Sequence, residues 1–251
     1  MPPELSSTTL ALVLAVFLVG GLFKGALGFG LPLLTMSVLP LVIPVQLALA
    51  INAVVLPCAN VSQFVGARMA GPTLARFWPV IIGVVAGVPL GALFLKAMDE
   101  HAVLLLLGSL VIAFSALTLA APRFRLPSRL ERRAGLAVGV AAGVVGALTT
   151  ANGPVFVMYL VGLGIERRLF VSALGRLFVI SGVLIAGSFA TIGVLDLDRL
   201  LLALVCLAPA LVGMWGGNRF GRRMSSERFR TVILGALVLL GANLVWRALA
   251  G

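Results

Sequence analysis

No carboxylate interrupts the long apolar runs of this 251-residue chain, because all eight acidic side chains (Glu4, Asp99, Glu100, Glu131, Glu166, Asp196, Asp198 and Glu227) fall outside them. Proton coupling through a buried acid is thereby disfavoured, and the one histidine, His101, sits in a loop beside Asp99 and Glu100. The two cysteines, Cys58 and Cys206, exclude a disulfide-built scaffold, and neither has a second cysteine or histidine at metal-ligand spacing. The glycine-rich stretches lack the Gly-Lys-Ser/Thr ending of a nucleotide-binding loop. No catalytic residue, metal or cofactor is expected.

Charge of any sign is scarce. Charged residues make up 11% of the chain and hydrophobic ones 61%, with a mean hydropathy of +1.18, far outside the range of water-soluble domains. The class implied is an all-α polytopic membrane protein whose main partner is the lipid bilayer. The net charge of +11 comes from arginines clustered in short loops with no interleaved aromatic stripe, so a nucleic-acid partner is not expected. The first residues, MPPELSSTTL, show neither a cationic stretch nor a small-residue cleavage pattern, so no removed signal peptide is expected.

Segments long enough to cross a bilayer lie near 8–27, 45–66, 77–97, 102–121, 134–150, 168–192, 198–216 and 228–249. Two shorter apolar pieces, near 31–42 and 153–164, each follow a glycine-rich break and read as half-helices. The chain is internally repeated: Gly25-Ala26-Leu27 recurs as Gly146-Ala147-Leu148, and a shift of 122 pairs Pro32 with Pro154, Met36 with Met158, Ile43 with Ile165 and Leu47 with Leu169. Later the shift becomes 126, pairing Gly87 with Gly213, Gly91 with Gly217 and Met98 with Met224. Residues 1–121 form the first repeat, 122–133 a basic linker, and 134–251 the second repeat.

Lys and Arg in short loops mark the cytoplasmic side. With five membrane segments per half, four long and one short, the basic loops 68–76, 123–133, 167–168 and 219–230 share one side, and the acidic loops at 99–100 and 196–198 lie opposite. An odd count inverts the second repeat. Inverted repeats with interrupted helices meeting near the midplane are the architecture of secondary transporters, where half-helix N-termini present N–H groups to an anion. The first break is Gly25-Ala-Leu-Gly28-Phe29-Gly30-Leu-Pro32, whose Gly28 and Gly30 can offer backbone N–H groups. The second, Gly146-Ala-Leu-Thr149-Thr150-Ala-Asn152-Gly153-Pro154, adds hydroxyl and amide donors suited to oxyanion oxygens.

With these breaks, and with a glycine-rich helix running into a polar turn late in each half (GVPLGALFLKAM, GMWGGNRFGRRM), nearly the whole chain resembles the TauE/SafE-type sulfite exporter family, also called the toluene-sulfonate uptake permease family. The resemblance implies export or uptake of a small sulfur-containing anion, such as sulfite, sulfoacetate or another organosulfonate, across the bacterial cytoplasmic (inner) membrane. A homodimer is compatible with it.

Two cations lie inside apolar segments. Arg176 is eight residues beyond Arg168, about 12 Å further along a helix and too deep for easy snorkelling; it either faces the substrate path or bonds structurally to carbonyls. Lys24, one turn before the first break, either joins the site or snorkels. Asn52, Asn60 and Gln63 lie along one segment; Asn60 reads as a tie between helices, while Asn52 and Gln63 are substrate-binding candidates. Asn52 aligns with Leu174, two residues before Arg176, which would turn both polar faces to one cavity. Asn218 and Asn243 read as interfacial or packing residues, and Gly83, Gly87 and Gly91 as close helix contacts. With no buried acid, the coupling expected is export driven by the membrane potential and the substrate gradient, or with a proton carried on the substrate itself. Two readings of other classes are a thiol or electron conduit through Cys58 and Cys206, whose positions match under neither shift, and a non-transporting assembly factor.

Overall fold

The computed structural model describes residues 5–28, 30–65, 70–120, 125–220 and 238–249. Among them every regular element is helical: α1 (Ser7–Leu27), α2 (Leu31–Val38), α3 (Val45–Val65), α4 (Ala70–Ala97), α5 (Glu100–Ala120), α6 (Glu131–Thr149), α7 (Gly153–Gly162), α8 (Arg167–Thr191), α9 (Leu197–Phe220) and α10 (Val238–Leu249). Five of them, α1, α4, α6, α8 and α9, are long and apolar enough to cross a membrane. The expected spans near 45–66 and 102–121 coincide with α3 and α5, whose described apolar stretches are shorter; of the one near 228–249, residues 228–237 lie outside the described residues and α10 covers the remainder.

Local chemistry sets these boundaries. The Ser6 hydroxyl accepts the Thr9 N–H at 3.1 Å and opens α1. Asp99 and Asp196 start α5 and α9 in the same way, accepting the N–H groups of Ala102 at 2.7 Å and Arg199 at 2.8 Å. Within α4 the backbone leaves helical geometry at Phe77, just before Pro79, whose ring cannot donate to the preceding turn. The eight residues of α2 and ten of α7 rise only about 12 and 15 Å, so neither crosses a hydrocarbon core of about 30 Å alone.

The chain forms two compact units, each drawing on both halves of the sequence. One comprises Met1–Val55, Met98–Pro122 and Val194–Gly251; the other Leu56–Ala97 and Arg123–Gly193. In the first unit α1 lies along α9 in backbone contact. A methyl group on Gly213 would overlap the Leu18 carbonyl, and one on Gly217 the Leu22 carbonyl. In the second unit α4 lies along α6, where methyls on Gly87 and Gly91 would meet the carbonyls of Val140 and Val144. Without a hydrophobic drive between helices in lipid, such close backbone packing is what holds them together.

These contacts share one register. The shift of 126 carries Gly87 and Gly91 to Gly213 and Gly217, and the shift of 122 carries Leu18 and Leu22 to Val140 and Val144. The same helix pairing is therefore built twice, each time from the early part of one half and the late part of the other. Gly83 belongs to the same seam, against Leu136, as its spacing predicts. Asn218 and Asn243 are exposed, consistent with positions outside a polar core.

Candidate functional site

In the first unit, α1 ends on Gly28, whose φ of 83° is left-handed and whose N–H donates to the Lys24 carbonyl at 2.7 Å. Gly30, at φ 107°, then opens α2, with Pro32 in its first turn. Both conformations favour glycine, and a side chain at either position would meet no neighbour, so backbone alone selects the residue. The Lys24 side chain is only 2% exposed.

Asn52 of α3 is fully buried and ties α3 to α2. Its amide donates to the Ala48 carbonyl at 3.0 Å and approaches Met36 Sδ at 3.3 Å, while its side-chain carbonyl accepts from Thr35 Oγ1 at 2.8 Å. Both amide protons are thus engaged within the protein, and Asn52 holds the second half of α2 rather than presenting an open donor.

In the second unit the break shares the left-handed cap, but Asn152, which opens α7, is right-handed at φ −78° where Gly30 is left-handed. Thr150 occupies the left-handed region at φ 55°, and its N–H donates to the Gly146 carbonyl at 2.7 Å. The shift of 122 carries Gly28 to Thr150, Lys24 to Gly146, Gly30 to Asn152 and Pro32 to Pro154, one residue away from the register of the repeated Gly-Ala-Leu. Each break follows a helix long enough to cross, as expected for the segments near 8–27 and 134–150, and is followed by a half-helix.

The side chains of the second break are buried and mutually engaged. Thr149 Oγ1 donates to the Val145 carbonyl at 2.7 Å and accepts the Ala151 N–H at 3.1 Å; Thr150 Oγ1 donates to the Thr149 carbonyl at 2.7 Å. The hydroxyls expected to face an oxyanion are therefore turned onto α6. Asn152 Nδ2 donates to Ser181 Oγ of α8 at 2.8 Å, fixing the start of α7. Phe178 lies against Gly153 and stacks edge-on with Phe156 at 6.0 Å, an apolar wall beside the first turn of α7. The N–H groups of that turn have no partner within the helix, and the positive end of its dipole lies there.

Arg176 of α8 is 3% exposed, and its guanidinium reaches Thr73 Oγ1 of α4 at 3.3 Å, the Ser172 carbonyl at 3.2 Å and the Ser172 hydroxyl. Thr73 and Ser172 hydroxyls bond each other at 2.9 Å. Ser172 precedes Arg176 by one helical turn and was open to sequence reading by that spacing. Thr73 and Ser181 were not, because their partners lie on other helices. At the end of the same unit Arg76 makes a two-pronged ion pair with Glu131 at 2.6 and 3.0 Å, and Tyr159 Oη of α7 donates to the Glu131 carbonyl at 3.0 Å. With the Leu126 N–H bonded to the Gly162 carbonyl at 2.7 Å, this anchors the far end of α7.

Arg176, Thr149, Thr150 and Asn152 thus belong to one unit, while Lys24, Gly28, Gly30 and Asn52 belong to the other. The side chain of Gln63 lies outside the described residues. Asn60 is buried in α3, where a tie between helices was expected. Cys58 is exposed and Cys206 buried.

Apolar spanning helices, twice-built glycine seams and matching capped breaks with buried cations define a multi-pass membrane protein of the transporter class. Within that class, the chain belongs to the Sulfite exporter TauE/SafE family, which it matches over residues 12–244. Comparisons with curated proteins and with solved structures return no match. Family membership makes it a membrane transporter of the anion-exporter type.

Proposed function

We propose that the protein carries sulfite or a small organosulfonate across the bacterial cytoplasmic membrane by alternating access, with its two repeats in opposite orientation. The observation that carries this reading is the pair of equivalent breaks. Each joins a left-handed cap to a proline-opened half-helix, with a buried cation in the same unit and no carboxylate in any apolar run. N–H groups and cations in a low-dielectric setting favour an anion strongly. The opposite orientation of the repeats is supported by the basic and acidic loops.

Within this reading the direct donors are, in the first unit, the N–H groups of Gly30 and the first turn of α2, with Lys24 supplying positive charge, and in the second unit the first turn of α7, with Arg176; the Gly28 N–H is held by the Lys24 carbonyl and closes its cap. Thr149, Thr150, Asn152 and Asn52 hold the breaks in shape. The test is thermal unfolding of the purified protein against sulfite, sulfate, sulfoacetate, an aromatic sulfonate and chloride. A sulfur anion at about 100 times its Kd stabilises by about 2.7 kcal/mol through mass action, and Arg176→Ala is expected to remove that shift. A shift that survives the substitution returns Arg176 to a structural role.

A further inference from the structure

The polar atoms of the second break are arranged as much to conceal acceptors as to offer donors. A helix C-terminus exposes carbonyl oxygens that would attract a cation. At the end of α6 the Gly146 carbonyl is covered by the Thr150 N–H, and the Thr149 carbonyl by the Thr150 hydroxyl. One turn earlier the Val145 carbonyl takes the Thr149 hydroxyl in addition to its helical partner. The intramembrane cations Arg176 and Lys24 are donors only.

Four of the eight acids are engaged elsewhere. Glu131 pairs with Arg76, Asp196 with Arg199, Asp99 caps α5, and Glu100 accepts the Val45 N–H at 3.3 Å. An ammonium group leaving water needs a carboxylate or several free carbonyls, and near a guanidinium it meets like charge.

We infer that this transporter selects sulfonates that carry no ammonium group, and that the hydroxyls of Thr149 and Thr150 set that selection by covering carbonyl oxygens at the end of α6. The inference rests on the anion-transport reading and adds to it a rejected class, the zwitterionic aminosulfonates. Thr149 and Thr150 are here specificity-determining through the carbonyls they mask.

The clean comparison is isethionate against taurine, which have the same carbon and sulfonate skeleton and differ by a hydroxyl in place of an ammonium. Purified protein is titrated with each, following displacement of bound sulfite, and vesicle uptake is measured for both. Isethionate is expected to bind at least about tenfold more tightly than taurine at neutral pH, the effect of about 1.4 kcal/mol. Raising the pH until the taurine amine loses its proton is expected to bring the two together, with isethionate at the same pH correcting for changes in the protein. Thr150→Val keeps the branched shape and uncovers the Thr149 carbonyl. It is expected to lower the isethionate-to-taurine ratio, whereas a merely structural role lowers both affinities and leaves the ratio unchanged.

Equal binding of the two at neutral pH overturns the inference and leaves the transport reading standing, as does displacement of sulfite by neither sulfonate. Failure of sulfite and every sulfonate to bind overturns both.

Discussion

At the residue scale the two breaks pose one backbone problem and solve it differently. Gly28 reaches the left-handed region without cost, and nothing lies within 4 Å of a side chain built there, so replacing it probes backbone strain alone. Gly28→Thr, which copies the second break, is expected to lower stability by about 1–2 kcal/mol, read as a fall in the thermal midpoint in detergent. The reciprocal Thr150→Gly is expected to change stability by less, because relief of strain is offset by loss of the hydroxyl bond to the Thr149 carbonyl. Gly28 was legible in the sequence, since glycine after an apolar helix marks a left-handed cap. Thr150 was not, because a β-branched residue is among the last expected at positive φ. Arg176 stood out by its isolation among apolar residues, yet its hydroxyl partner Thr73 comes from α4, a distant part of the chain that spacing does not reveal.

At the element scale, apolar length located the five helices that are long enough to cross, and glycine spacing located the α4 seam. What composition did not disclose is the partner of each seam, since periodicity reports that a face is small without saying which helix meets it. The register of contacts answers this and gives a prediction. Gly87→Val and its counterpart Gly213→Val each force a branched side chain into a neighbouring backbone and are expected to cost about 3 kcal/mol or more. Size-exclusion profiles after detergent extraction would show loss of the monodisperse species. Gly187→Val in α8 is the control, because a side chain there meets nothing within 4 Å. Equal tolerance of all three would mean that the seams are not packed as described. The half-helices were legible as short apolar pieces placed after complete spans, because each follows a glycine-rich stretch that ends a long apolar run.

At the scale of the whole molecule, duplication was visible in the pairing of prolines and glycines, and composition alone assigned the membrane. The grouping of helices into units was hidden, since α1 closes on α9 and α6 on α4 while sequence similarity joins α1 with α6 and α4 with α9. This arrangement has a consequence for biogenesis. When α1 leaves the ribosome and inserts, its glycine face has no mate until α9, nearly two hundred residues later, has been synthesised, so the nascent chain must wait in the bilayer with an open seam. A polypeptide ending in the 122–133 linker is likewise expected to be degraded when made alone. Made together with a second polypeptide carrying the remainder, it is expected to be recovered as a stable complex on affinity purification. Stable accumulation of the first half by itself would show that its seams find another cover.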